Sequence, residues 1–403
     1  MTYFYVGAAE VDITPPTGLT MDGYVARSGV SVGVHDPLMA QVLIIERGDM
    51  CAVIVTLDVL AVSGKFALDL RQSIAQLVGT DTVWLCPSHT HCGPRGLQNW
   101  FPVGQKPQLD HELTQLISRR VNRMVDNVYK SLVPARMFSA SGDLHGVGGD
   151  RNQQGAIVDN RLTTFRFESL SGDTIAVLFH YACHPTVLGP DTREYSADWP
   201  GAARKRIQAH YPEATVAFMN GATGNVSTRY FRRESTFAEV ERLGGIVADR
   251  ALELLSNADE EPQVVMDYGY KRVSLPVREF PLGRELETTG DARRDTTRSE
   301  GTALESELAE AFNGRESVSA YVNKIKLGDW TLFGISGEAF SDLALAVREH
   351  DPKALVVGLV NDYAGYFPTQ AAINAATYEA LSSPYDAHAH QALVHLLTNH
   401  DWL

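Results

Sequence analysis

Cysteine is scarce: Cys51, Cys86, Cys92 and Cys183 are the only 4 in 403 residues, and no two form a Cys-x-x-Cys pair. That excludes a disulfide scaffold and a cysteine-rich structural zinc site, and it fits buried free thiols in a reducing compartment. No stretch approaches the roughly 20 consecutive apolar residues of a spanning helix. The start, Met1-Thr2-Tyr3-Phe4-Tyr5-Val6-Gly7, has no basic region and no long apolar run before the turn Pro15-Pro16-Thr17-Gly18. No secretory signal is therefore expected, and the expected location is cytoplasmic. There is no internal repeat, low-complexity segment or linker, so residues 1–403 are expected to form one composite catalytic domain. Positive charge is short as well: 35 lysines and arginines face 49 acids, for a formal net charge of −14. Such a surface repels phosphate backbones and anionic bilayers, so neither nucleic acid nor stable membrane insertion is expected.

Apolar residues make up 44% and charged residues 21%, enough for a sizeable core. Alternation or apolar runs predict strands over 7–13, 38–45, 51–57, 82–86, 162–167, 174–180, 215–219, 264–276, 331–335 and 355–360. The run over 51–57 is nearly all apolar, as in a strand buried on both faces. Helical spacing covers 66–77, 109–132, 202–209, 237–255 and 339–348, and the tail from Tyr378 is helix-like. The order strand–helix–strand predicts an α/β fold with flanking helices. Residues from about 285 to 317 carry no core pattern. They read as a polar excursion, either solvated or a flap over a cleft.

Three apolar strands run directly into chemistry-bearing residues. The strand over 82–86 leads into Ser88-His89-Thr90-His91-Cys92-Gly93-Pro94. On an extended segment, histidines at i and i+2 share a face and can offer two metal ligands, or a ligand and a base. The strand over 174–180 leads into His180-Tyr181-Ala182-Cys183-His184-Pro185. Pro185 disfavours a helix there, so one of His180 and His184 is the better ligand candidate rather than both. The strand over 331–335 leads into Ser336-Gly337-Glu338. In α/β sheets ligands gather at one end of the strands, and a His₂Glu set suits zinc with an open position.

The chain also resembles the N-terminal catalytic domain of the neutral (non-lysosomal) ceramidase family. The resemblance is carried by Gly7-Ala8-Ala9-Glu10-Val11-Asp12-Ile13-Thr14-Pro15-Pro16, Met21-Asp22-Gly23-Tyr24, Gly33-Val34-His35-Asp36-Pro37-Leu38 and the His89–His91 segment. It continues through Cys183-His184-Pro185-Thr186, Gly337-Glu338, the stretch from Gly358-Leu359-Val360-Asn361-Asp362-Tyr363 to Ala364-Gly365-Tyr366, and Tyr378-Glu379-Ala380. It implies one zinc ion per chain, held by His89, His184, Glu338 and Tyr366, with His91 beside the metal. It places Arg151 as a substrate-contacting arginine and Ser227 as a site serine. The family usually has an acid where Asn225 stands and Pro-Asn where Thr228-Arg229 stand. The resemblance also implies, in part, the mixed β-sheet core, while the family's secretory signal and C-terminal immunoglobulin-like domain are not expected here.

The resulting expectation is a zinc-dependent hydrolase cleaving an N-acyl amide in a small molecule more soluble than ceramide. His91 would pass a proton to the leaving amine, Arg151 and Tyr366 would stabilise the oxyanion, and Ser227 would orient the substrate. Asp58, Asp198 and His35 are candidates to hold the ligand histidines from behind. Competing readings are a zinc esterase or lactonase using the same site, and a metal-stabilised binding protein without turnover.

Overall fold

The computed structural model describes residues 3–98, 109–262, 265–281, 283 and 286–399. Val264 and Glu285, limits of two segments read from the sequence, lie outside them.

Two sheets stack face to face. The first is built from β1 (Phe4–Asp12), β2 (Met39–Arg47), β3 (Met50–Leu57), β4 (Val83–Pro87), β5 (Val133–Asp143), β6 (Arg161–Ser169), β7 (Thr174–Tyr181) and β8 (Thr215–Asn220). Its order is β8–β7–β6–β5–β1–β2–β3–β4, with the short strand Asp259–Glu260 paired to β5. The second, ordered β9–β10–β11–β12, contains β9 (Met266–Pro276), β10 (Ser317–Leu327), β11 (Trp330–Ile335) and β12 (Ala354–Val357). The helices are α1 (Gly64–Val78), α2 (His111–Tyr129), α3 (Asp198–His210), α4 (Phe237–Ser256), α5 (Ala292–Ala311), α6 (Ser341–His350), α7 (Gln370–Asn374), α8 (Tyr378–Leu381) and α9 (Ala387–Thr398).

Side-chain alternation along each strand assigns the layers. In β3, Val53, Val55 and Leu57 join a core with Phe66, Leu70 and Ile74 of α1 and Val121 of α2. Ala52 and Ile54, on the other face, pack with Ile325, Leu332 and Leu355 of the second sheet. The far face of that sheet, through Val322, Phe333 and Val356, packs on Leu343 of α6 and Leu393 of α9. Helices, sheet, sheet and helices thus form four layers. Each large apolar side chain buried this way contributes about 1.5–3 kcal/mol. The expected mixed core is present, divided into two sheets rather than one.

Two strands escape the sequence pattern. β5 buries Ala135, Met137 and Ser139 on one face, too weakly apolar to display a period of two, and Pro134 stands near its start. In β10 the buried positions shift from Ala320 and Val322 to Ile325 and Leu327, so alternation breaks at the buried Asn323.

Three pairs of neighbours in these sheets are parallel: β3–β4, β7–β8 and β11–β12. Each pair is joined by a crossover helix, α1, α3 and α6 respectively. Their C-terminal ends are laced together. The Asn361 side chain accepts from Leu85 N at 2.7 Å while Asn361 N donates to Leu85 O at 3.0 Å. Asn220 Nδ2 donates to Ser88 O at 3.1 Å, and Gly358 N donates to Asn220 O at 3.0 Å. This fixes one sheet against the other where the candidate site lies.

Candidate active site

The site collects the residues that follow these parallel strands, as expected where ligands bind beyond the carboxyl ends of strands. His89 and His91 follow β4, His184 follows β7, Ser227 follows β8, Glu338 follows β11 and Tyr366 follows β12. The backbone of His89 is not extended: its φ is +71°. The face-sharing argument for His89 and His91 therefore fails in detail, although the two rings do meet. A left-handed conformation costs a non-glycine residue about 1–3 kcal/mol and persists only where surroundings hold it. Here His89 N donates to Val59 O at 3.0 Å and its ring Nδ1 to Leu60 O at 2.8 Å.

His184 is held in the same way. Its Nδ1 faces Val226 O at 3.0 Å. Donation from Nδ1 to a carbonyl leaves each Nε2 as a lone pair. Those lone pairs converge on one carboxylate oxygen: Glu338 Oε2 lies 3.3 Å from His89 Nε2 and 2.9 Å from His184 Nε2. All three atoms are buried, and none makes a hydrogen bond. Burial pushes the His184 imidazole down to about 4, and Arg151 adds to the effect. Three acceptors aimed at one point are mutually repulsive unless a cation sits among them. The donor set therefore fits a divalent metal of the zinc type.

His91 belongs to the same cluster. The ligand nitrogens of His89, His91 and His184 lie within 4.8 Å of one another. Both ring nitrogens of His91 are buried without a partner. Burial, then His89 and His184, hold its imidazole well below its ordinary value. Gly23 makes room for it: a Cβ there would come within 2.6 Å of His91 Cγ.

Arg151 and Tyr366 stand beside this centre. Glu338 and Tyr366 are register partners in a two-residue parallel ladder. Arg151 Nη2 donates to Tyr366 Oη at 3.3 Å and to Gly224 O at 2.8 Å, and Nε donates to the Glu379 carboxylate. Burial raises the Tyr366 phenol well above its ordinary value, with Glu338 adding and Arg151 opposing. Ser227 is buried and bridges to His184 through the backbone. Its Oγ accepts from Arg229 N at 3.3 Å, and among the described residues no imidazole bonds to it. Asn225 spans two neighbours, donating to Asp150 Oδ2 at 2.7 Å and accepting from Ser341 N at 2.9 Å.

The residues expected behind the histidines are elsewhere. Backbone carbonyls of Leu60 and Val226 take that role. Asp58 pairs with Arg204, Asp198 accepts from the amides of Val187, Leu188 and Trp199 at the start of α3, and His35 bonds Asp36 and stacks on Phe237. His180 lies outside the cluster, its Nε2 on Val356 O at 2.8 Å. Sequence reasoning gave no role to Tyr363, whose hydroxyl donates to Glu338 Oε1 at 2.7 Å, or to Glu379, which fixes Arg151 and accepts from Asn152 Nδ2 at 3.1 Å. Both sit in motifs already singled out, but only the folded loops reveal what they touch.

The cluster opens into a cavity of about 480 Å³, within the usual range for small-molecule sites. His89, His91, Arg151, Ser227, Glu338 and Tyr366 all line it. Helix α5, inside the segment read as an excursion, supplies part of its wall through Ala292, Arg293, Thr296, Thr297 and Glu300. No helix among the described residues is long and apolar enough to cross a membrane.

The family model described as neutral/alkaline non-lysosomal ceramidase, N-terminal, matches residues 4–230. Neutral ceramidase A of Dictyostelium discoideum is 24% identical, over 51% of this chain and 32% of that protein. Neutral ceramidase of Pseudomonas aeruginosa is 22% identical, over 74% of this chain and 48% of its own length. The chain thus matches about half or less of the length of these relatives. The crystal structure of neutral ceramidase from Pseudomonas aeruginosa superposes with a TM-score of 0.82 at 19% identity, covering 99% of this chain and 74% of that one.

Proposed function

Because the chain belongs to the neutral/alkaline non-lysosomal ceramidase family, we propose that it is a zinc-dependent hydrolase of N-acyl amides. The observation that carries this reading is the convergence of His89 Nε2, His184 Nε2 and Glu338 Oε2 on one point without hydrogen bonds. These three residues, with Tyr366 from the paired strand, would hold the ion, and Tyr363 would fix the carboxylate. A zinc ion there supplies a Lewis acid that acidifies water and polarises an acyl carbonyl.

The chain's own residues divide the remaining work. His91 takes up a proton and delivers it to the leaving amine. The Arg151 guanidinium, held in place by Glu379 and Gly224 O, points donors at the developing oxyanion, with the Tyr366 hydroxyl beside it. Ser227 orients a polar group of the substrate. It lacks the adjacent base that a nucleophilic serine needs. The cavity wall supports a substrate smaller or more soluble than ceramide: Val25, Leu60 and Ala292 are its only aliphatic residues among those described. In this reading residues 1–403 act as one catalytic unit. The position of α5 on the wall favours a covering role for the 285–317 segment over a purely solvated one.

The test is the metal content of purified protein together with hydrolysis of short-chain ceramide and several water-soluble N-acyl amines, before and after chelation. Stoichiometric zinc and chelator-sensitive release of an amine are expected. Absence of tightly bound metal, or activity indifferent to chelation, would overturn the proposal.

A further inference from the structure

The chain is strongly acidic overall, yet the cavity is not. Its lining includes Arg95, Arg151, Arg229, Arg232 and Arg293. Three of these are already answered by carboxylates. Arg151 is bound to Glu379, Arg95 Nε lies 3.7 Å from Asp22 Oδ1, and Arg229 Nη2 lies 3.7 Å from Asp291 Oδ1. Of the remaining lining acids, Glu338 is committed to the histidine cluster, and burial pushes the Glu300 carboxyl up from its usual value.

That leaves two guanidiniums facing the same space. Among the described residues Arg232 donates only to the backbone oxygens of Thr186 and Val187. Arg293 is exposed, and among the described residues no carboxylate pairs with its side chain. Exposure increases from the buried His89, His184 and Glu338, through half-buried Arg232, to Arg293. The unanswered positive charge therefore occupies the outer part of the cavity, away from the reacting centre.

Resting on the reading of this site as an N-acyl hydrolase, we propose that its substrate carries an oxyanion, a carboxylate or a phosphate, held by Arg232 and Arg293. The guanidinium fork matches either group through paired hydrogen bonds. Burying part of a neutral lipid amide here would leave these cations without partners, which disfavours it. A soluble anionic amide would gain by the same contacts, and its approach would be steered by the local positive field.

The experiment compares matched pairs of substrates on the zinc-loaded enzyme. N-benzoylglycine is set against N-benzoylglycinamide, N-succinylbenzylamine against N-butanoylbenzylamine, and N-acetylethanolamine phosphate against N-acetylethanolamine. The first two pairs place a carboxylate on the amine or the acyl side, and the third tests phosphate. In at least one pair the anionic member should show a kcat/KM about 10-fold or more above its neutral partner, the worth of one charge-assisted hydrogen bond. Arg293→Gln should lower that ratio about 5- to 10-fold, and Arg293→Glu should lower it further. Added salt should erode it, as expected of a solvent-accessible charge. Equal turnover of neutral and anionic members, with a ratio indifferent to Arg293→Glu, would overturn the anionic substrate and leave the hydrolase reading intact. If zinc-loaded protein cleaves none of the six, the hydrolase reading fails by itself. Calorimetry with the three anionic compounds then decides the inference, which is overturned if no binding weakened by Arg293→Glu is found.

Discussion

Replacing Tyr363 with phenylalanine removes the hydroxyl that bonds Glu338. The Tyr363 hydroxyl donates to Glu338 Oε1 at 2.7 Å, and both side chains are almost wholly buried. A hydrogen bond to a buried charge is worth about 1.5–3 kcal/mol. The bond orients the carboxylate so that its other oxygen, Oε2, faces His89 and His184. Loss of such an outer partner lowers metal affinity about 10- to 100-fold, which agrees with that energy. Competition titration against a chelator of known affinity should show zinc binding weakened by that factor in Tyr363→Phe. Urea unfolding of the zinc-free forms should differ by no more than about 3 kcal/mol, the penalty of leaving Glu338 short of one donor. If zinc affinity stays within about twofold of wild type while zinc-free stability falls, Glu338 is not a ligand. The cluster of His89, His91 and His184 would then be the whole donor set.

Three other outcomes follow from the same geometry. His91→Ala should retain zinc by elemental analysis and lose about 10²- to 10⁴-fold in kcat/KM, the usual worth of a general acid; loss of zinc instead would make His91 a ligand. Arg151→Met strands the buried Glu379 carboxylate and should cost about 3–5 kcal/mol in urea unfolding, with part of the loss recovered in Arg151→Met/Glu379→Gln. Ser227→Ala should keep turnover within about 10-fold of wild type, with no acyl-enzyme detectable by mass spectrometry in either protein; a trapped acyl group on wild-type Ser227 would replace the water mechanism with a covalent one.

The part of this design written in the sequence is the part governed by local pattern. β3 is legible because Ala52 to Leu57 must satisfy a core on each side, which leaves Thr56 as its one polar residue, its hydroxyl donating to Gln41. His89, His184 and Glu338 are conspicuous because each follows an apolar strand directly. What stays hidden depends on contacts between distant segments. β5 and β10 are obscured by small residues and by a change of buried face. The stacking of two sheets leaves no signature within any one strand. The partners of the ligand histidines are carbonyl oxygens, which every residue has, so Leu60 and Val226 cannot be singled out from side-chain chemistry. Asp58 and Asp198 attracted attention as acids near histidines, but one neutralises Arg204 and the other ties down a helix start. α5 carries only Gly301, Leu304, Glu305 and Leu308 as buried residues, too few to mark it as a wall of the cavity.

The donors come from both sheets: His89 and His184 follow strands of the first, and Glu338 follows β11 of the second. An ion gripping all of them is a crosslink between the two halves of the sandwich. It joins points about 100 and 150 residues apart along the chain, and long loops are only slightly costlier to close than short ones. Because the unfolded chain has no such site, free zinc at a thousand times its dissociation constant would add about 4 kcal/mol to folding. That is a large share of the margin by which an ordinary domain holds together. Scarcity of the ion would then shorten the life of the protein as well as silence it, and its abundance in the cell would follow the supply of metal.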